Sequence, residues 1–184
     1  MSGISLHVPE YGELWYRQRL LSDPDTMSYN KEYGGENGCI DFSEEKWRSW
    51  YGYWMAGTSD SFYAYIVLDG EFIGEVNLHK NCDIGFYEDW YDLGIVVESH
   101  YRGNGYAAKA LDLLLETAFK KLGAASVHNE FENYRTAALR LHLNAGFFVD
   151  GEEGQVVRLS ITAARYFQIK HLYQRTRRLC SCAF

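Results

Sequence analysis

A buried strand, a glycine-bearing turn and an amphipathic helix follow one another without a break between residues 91 and 122, and no other stretch restricts the fold as tightly. Residues 91–98 contain Leu93, Ile95, Val96 and Val97, apolar on both alternating faces, as a strand covered on two sides requires. Arg102, Gly103, Asn104, Gly105, Tyr106 and Ala107 come next. They lead into AAKALDLLLETAFKKL, where Ala107, Leu111, Leu114, Leu115, Ala118 and Leu122 form one apolar stripe that Gly123 ends. A central strand that feeds a helix start in this way belongs to a mixed α/β chain.

The flanking segments extend the pattern. Residues 4–8 read as a strand, and a helix from about Tyr11 is ended by the turn Ser22, Asp23, Pro24. Asp41 and Glu44 have the spacing of a capping box, ahead of Trp47, Trp50, Tyr51 and Trp54 at helical intervals. Two β-rich runs in residues 61–79 meet at Asp69 and Gly70, a pair suited to a tight hairpin turn. Further strands are predicted over 126–130, 147–149 and 156–161, with a helix over 133–145 and a solvated helical tail after Gln168 carrying Lys170, His171, Arg175, Arg177 and Arg178. With 184 residues, one domain is expected: 1–60 shaping an acceptor site, 61–161 as the core and 162–184 as the tail.

Composition narrows the function classes. A net charge of −7 speaks against a nucleic-acid partner, which clustered Lys and Arg would have to engage, and suits a cationic substrate, although acidity for solubility alone is the commoner reason for such a charge. Cys39, Cys82, Cys180 and Cys182 lack the spacing of a zinc site, so no metal is expected. The first residues carry no basic segment followed by an apolar run, and no stretch has the length to span a bilayer, which predicts a cytoplasmic chain without a membrane partner.

Residues 102–107 are the candidate binding site. The first turn of a helix presents amides without internal partners and a partial positive charge, and glycines let phosphate oxygens approach the backbone; Arg102 adds a full charge. Gly103, Gly105 and Ala108 also fit the dinucleotide fingerprint, but residues 98–102 intervene between strand and first glycine, and a hairpin precedes. A third reading is a tight turn with no ligand.

Arg102, Gly105 and Ala107, followed by Asn133, Leu139 and the Gly146, Phe147 pair, resemble the two landmarks of the GNAT superfamily of N-acetyltransferases. The opening region, with Asp23, Pro24 and residues 26–30, looks similar to the branch that includes ribosomal-protein N-terminal acetyltransferases. The resemblance implies a single domain around a mixed, strongly twisted sheet, splayed between its fourth and fifth strands, with helices on both faces. It implies acetyl-CoA as co-substrate, Ile95, Val96 and Val97 along the pantetheine arm, residues Arg102, Gly103, Asn104, Gly105, Tyr106 and Ala107 at the pyrophosphate, and Asn133 near the sulfur. The acceptor would be a primary amine on a small molecule, a peptide or a protein N-terminus, in a pocket built from residues 29–38 and 81–90, and a homodimer is compatible with the chain.

Such a reaction needs a base, because a free amine is mostly protonated at neutral pH. His128 and Glu130 share one strand face by period-two alternation, with Asp92 and Glu75 as reserves on neighbouring strands. An ordinary polar side chain is the competing reading for each. The family's frequent general acid, a tyrosine four residues before the closing glycine, is His142 here, a departure that keeps open a module binding acyl-CoA without turnover. No Ser, His, Asp arrangement is legible.

Overall fold

The computed structural model describes residues 3–35, 37–81 and 90–181, with side chains to residue 172. Residues 82–89 of the expected acceptor loop 81–90, Cys82 among them, lie outside the described residues, as do Cys182 and the side chains of Arg175, Arg177, Arg178 and Cys180. Seven strands form one sheet in the order β1 (Ile4–His7), β2 (Ser61–Leu68), β3 (Glu71–Lys80), β4 (Trp90–Val97), β5 (Ser126–Glu132), β7 (Val156–Thr162), β6 (Phe148–Glu153). The helices are α1 (Leu14–Ser22), α2 (Glu44–Trp54), α3 (Tyr106–Glu116), α4 (Thr136–Ala145) and α5 (Ala163–Ser181). This is the mixed α/β architecture expected. No described helix is long and apolar enough to cross a membrane.

By their internal contacts the residues divide into two compact units, Met1–Lys80 with Leu93–Glu116, and Asn81–Asp92 with Thr117–Phe184. In the first unit β2 and β3 form the predicted hairpin. Asp69 and Gly70 both have positive φ, 50° and 94°, the conformation of a two-residue turn whose twist matches its strands. Tyr63, Ala64, Tyr65 and Ile66 are buried in succession, so both faces of β2 are covered. On one face, Tyr16 of α1 packs edge-on against Tyr65, and Trp50 of α2 against Tyr63. α3 packs against β1 and β3, burying Ala110, Leu111, Leu114 and Leu115.

Three local expectations shift. The first helix starts with a 3₁₀ turn, Tyr11–Glu13, whose end is tied by Glu13 Oε2 accepting from the Glu10 amide at 2.8 Å. The Asp41–Glu44 capping box is not formed, because Ser43 takes the N-cap position of α2; Asp41 instead accepts from the Ser43 amide and pairs with Lys46 at 2.7 Å. Finally, α4 begins at Thr136, since the Asn133 amide is still bonded to the Gln155 carbonyl, 2.7 Å away at the start of β7.

In the second unit the parallel pairing of β4 with β5 sets Trp90 against Ser126, Tyr91 against Val127 and Asp92 against His128. β5 runs antiparallel to β7, and β7 to β6. α4 ends in Gly146 at φ 103°, where the Phe147 amide reaches back to the His142 carbonyl and closes the helix in a left-handed cap.

Candidate active site

The first unit carries the candidate anion cradle. After β4 the chain makes a single 3₁₀ turn, Ser99–Tyr101, and enters α3 through Gly103 and Gly105, at φ 81° and 77°. Only glycine holds such angles cheaply, and a Cβ at either position would meet nothing within 4 Å. The two residues therefore present bare, open backbone. The helix ladder starts with the Lys109 amide on the Gly105 carbonyl at 3.4 Å, which leaves the preceding amides outside the helical bonding pattern, and the first turn of α3 holds no acidic residue. An anionic diphosphate fits this surface.

Arg102 braces the loop from below the glycines. Its Nε donates to the Val97 carbonyl at 3.0 Å and its Nη2 to the Thr26 carbonyl at 2.5 Å, while Thr26 Oγ1 accepts from the Ser99 amide. The guanidinium thus pins the loop to the end of β4. Asn104 braces the same turn by donating to the carbonyls of Tyr101 and Arg102. Ile95 and Val96 are half-buried and Val97 is buried just ahead of it.

Glu75, a reserve base, is committed elsewhere. Its carboxylate pairs with Arg17 and accepts from the Tyr63 hydroxyl, and its side chain is 5% exposed. One acceptor site on each carboxylate oxygen is thereby taken, by Arg17 on Oε1 and by Tyr63 on Oε2.

The second unit holds the remaining candidates, and β5 sorts them by parity. His128 and Glu130 do lie on one face, with Glu130 exposed and His128 half-buried against the Trp90 ring at 4.6 Å. Ser126 Oγ lies 2.8 Å from His128 Nε2, Asp150 Oδ2 lies 3.9 Å from Nδ1, and Asp92 stands opposite in register. Burial, the largest influence, pulls the His128 pKa below its usual 6.5 against the upward pull of Asp150 and Asp92, so the ring is neutral at pH 7. Asp92 also accepts from Asn81 Nδ2 at 3.0 Å.

His142 sits on the opposite side of β5. It is 1% exposed between the rings of Phe131 and Phe147. Its Nδ1 faces the Ala138 carbonyl at 2.8 Å and its Nε2 faces Nδ2 of Asn129 at 2.9 Å. A carbonyl only accepts, so Nδ1 carries the proton and Nε2 accepts from the Asn129 amide. Both nitrogens are occupied, and burial holds the pKa below the ordinary value. Asn133 is exposed in the turn between β5 and α4.

Ser126 and Asp150 are the residues that reading the chain alone passed over. Ser126 is two residues from His128, yet its hydroxyl gives no signal without knowing which strand face is covered. Asp150 arrives only through the β5–β7–β6 pairing. The structure thus assembles a Ser, His, Asp group where none was expected, although 3.9 Å between Nδ1 and the carboxylate is an electrostatic contact and no hydrogen bond.

A family model described as an acetyltransferase (GNAT) domain matches residues 7–148. No curated protein matches. Among solved structures, spermidine N-acetyltransferase from Vibrio cholerae in complex with CoA and spermine superposes with a TM-score of 0.74 at 18% identity, covering 89% of this chain and 98% of that one. A GNAT-family acetyltransferase from Bacillus anthracis gives 0.67 at 19% identity, with 89% and 98% covered. One from Streptococcus pneumoniae gives 0.70 at 19% identity, with 87% and 99% covered. At these identities the solved structures speak for the fold.

Proposed function

This chain belongs to the GNAT acetyltransferase family, and we propose that it moves the acetyl group of acetyl-CoA onto a primary amine by direct attack, with His128 taking the proton. Acetyl-CoA supplies the activated acyl group as a thioester. The chain's own residues bind it, orient it and handle protons. The backbone at Gly103 to Ala107 holds the pyrophosphate through amide hydrogens, Arg102 and Asn104 keep that loop in shape, the backbone at Ile95 to Val97 lines the pantetheine arm, and Asn133 bonds near its sulfur end.

The observation that carries the base assignment is the set of groups around His128: Ser126 Oγ at 2.8 Å from Nε2, Asp150 at 3.9 Å from Nδ1 and Asp92 opposite in register. A half-buried imidazole with its pKa lowered by burial is neutral at pH 7 and gains two nearby carboxylates, Asp92 and Asp150, once it is charged. Glu130 shares its face and is the auxiliary acceptor. His142 orders α4 against β5 through Asn129, and the departing thiolate takes its proton from solvent.

The acceptor class follows charge. Asp92, Glu130 and Asp150 around His128, within a chain of net charge −7, suit a cationic amine. Polyamines, named for the Vibrio cholerae neighbour, are therefore the first acceptors to test. Thiol release from acetyl-CoA across an amine panel that includes spermidine, peptides and monoamines tests this. Amine-dependent release, lost about 100-fold in His128→Gln, is expected. Tight CoA binding with no release for any amine would mark a sensor module and overturn the reading.

A further inference from the structure

Asp150 stands where β6 loses register with β7. Val149 pairs with Leu159 and Gly151 with Arg158, so Asp150 is the extra residue of a β-bulge. Bulges bend a strand and re-aim the unpaired side chain. A Cβ on Gly151 would lie 2.9 Å from both Nε and Nη2 of Arg158, so the exposed arginine would have to shift to admit one. In the sheet, Ser160 of β7 pairs with both His128 and Phe148, so the β7 residue beside the histidine is short and uncharged. The carboxylate of Asp150 accordingly comes to 3.9 Å from Nδ1 of His128 across an intervening strand, while Ser126 Oγ takes the Nε2 side at 2.8 Å.

We propose that Asp150 is a positioning residue for His128: it selects the imidazole tautomer protonated on Nδ1, which leaves the Nε2 lone pair toward the Ser126 hydroxyl, and it steadies the ring once that ring is charged. The inference rests on His128 being the base. A negative carboxylate facing a ring nitrogen favours N–H over a lone pair at that nitrogen, so the other nitrogen becomes the proton acceptor. Ser126 then relays. Its Oγ accepts a proton from the attacking amine as its own hydroxyl proton passes to Nε2, so the serine ends neutral, the amine has lost one proton and the imidazole carries the positive charge. Solvent later takes that proton back.

Among the described residues, the charged and polar groups around the ring include Asp92 from β4, Asp150 from β6, Ser160 and Arg158 from β7, and Glu130 along its own strand. Asp92 contributes charge from the far side but is already an acceptor for Asn81. The Asp150 carboxylate faces Nδ1 at ion-pair distance.

Nitrogen-15 NMR of the histidine rings in the intact chain reads the tautomer directly, without any substrate. The wild type is expected to show His128 protonated on Nδ1. Asp150→Asn is expected to move it toward the Nε2 form and lower the His128 titration midpoint by about half a unit to one unit, at the modest end because the carboxylate is partly solvated. The acid limb of kcat/KM should move down by the same amount, with a plateau about tenfold lower and an unchanged KM for acetyl-CoA, and Asp150→Glu should restore part of both. Far-ultraviolet circular dichroism matching the wild type establishes that each variant is folded. An Nε2-protonated ring in the wild type, or a midpoint that ignores Asp150→Asn in the folded variant, overturns the proposal. Should His128→Gln keep full activity instead, the base assignment beneath it fails, a result the tautomer measurement does not depend on.

Discussion

Replacing Glu75 with Gln should unfold this protein far more readily than any comparable change on its surface. Arg17 lies in a box of rings, its guanidinium carbon 5.1 Å from the centroid of Phe42, 4.7 Å from Trp50 and 5.3 Å from Tyr63, and Glu75 supplies the balancing carboxylate. The two side chains are 15% and 5% exposed. Burial opposes the Arg17 charge, but Glu75 and the Tyr63 hydroxyl outweigh it and raise the guanidinium's pKa. Nε of Arg17 is buried without a hydrogen-bond partner, so solvent offers little relief. Breaking a buried pair by removing one partner costs about 3–5 kcal/mol, because the other charge is stranded. Gln retains an acceptor for Tyr63, which places the expected loss near the low end, about 3 kcal/mol. For a chain of this length that lowers Tm by roughly 6–12 °C. Urea unfolding followed by tryptophan fluorescence is well suited, since Trp50 rests on the guanidinium itself. In the double variant Arg17→Met, Glu75→Gln no charge is stranded, and more than half of the lost stability should return. A single variant within 1 kcal/mol of wild type, or a double variant no better than the single, would refute the reasoning.

Other outcomes follow from the same geometry. Gly105→Val should weaken CoA binding at least tenfold by calorimetry, since the side chain would both strain a backbone at φ 77° by about 1–2 kcal/mol and fill the open face; unchanged affinity would count against the cradle. Gly70→Val should destabilise the hairpin by a similar amount, about 1–2 kcal/mol in chemical denaturation, without altering CoA affinity, because φ there is 94°. Burial lowers the His142 pKa from its ordinary 6.5, so in the acid range the unfolded chain binds the proton more readily than the folded one. Its contribution to stability is therefore complete above 6.5 and declines as the pH drops below that value toward the depressed folded pKa. His142→Leu should be less stable at pH 7 yet show a flatter dependence between pH 7 and 5, and an unchanged slope would dismiss this account.

Local chemistry settled a large part of this molecule before any long-range contact was known. Asp69 and Gly70 specify their turn through backbone preference alone. The apolar run from Leu93 to Val97 and the stripe from Ala107 to Leu122 specify a covered strand and an amphipathic helix, and glycines at 103 and 105 mark where a backbone must bend and stay bare. These are properties of neighbours along the chain, so sequence order suffices to read them. What tertiary structure decided was company. Period-two alternation brought His128 and Glu130 to one face, but only the packing of α4 on the other face of β5 separated His142 from them and filled both its nitrogens. Glu75 looked free until α1 delivered Arg17 to it, and Arg102 turned inward to carbonyls supplied by Thr26 and Val97. Asp150 reaches His128 through a bulge two strands away. A side chain's charge, exposure and partners depend on which distant segments fold onto it, and spacing along the chain carries no record of that.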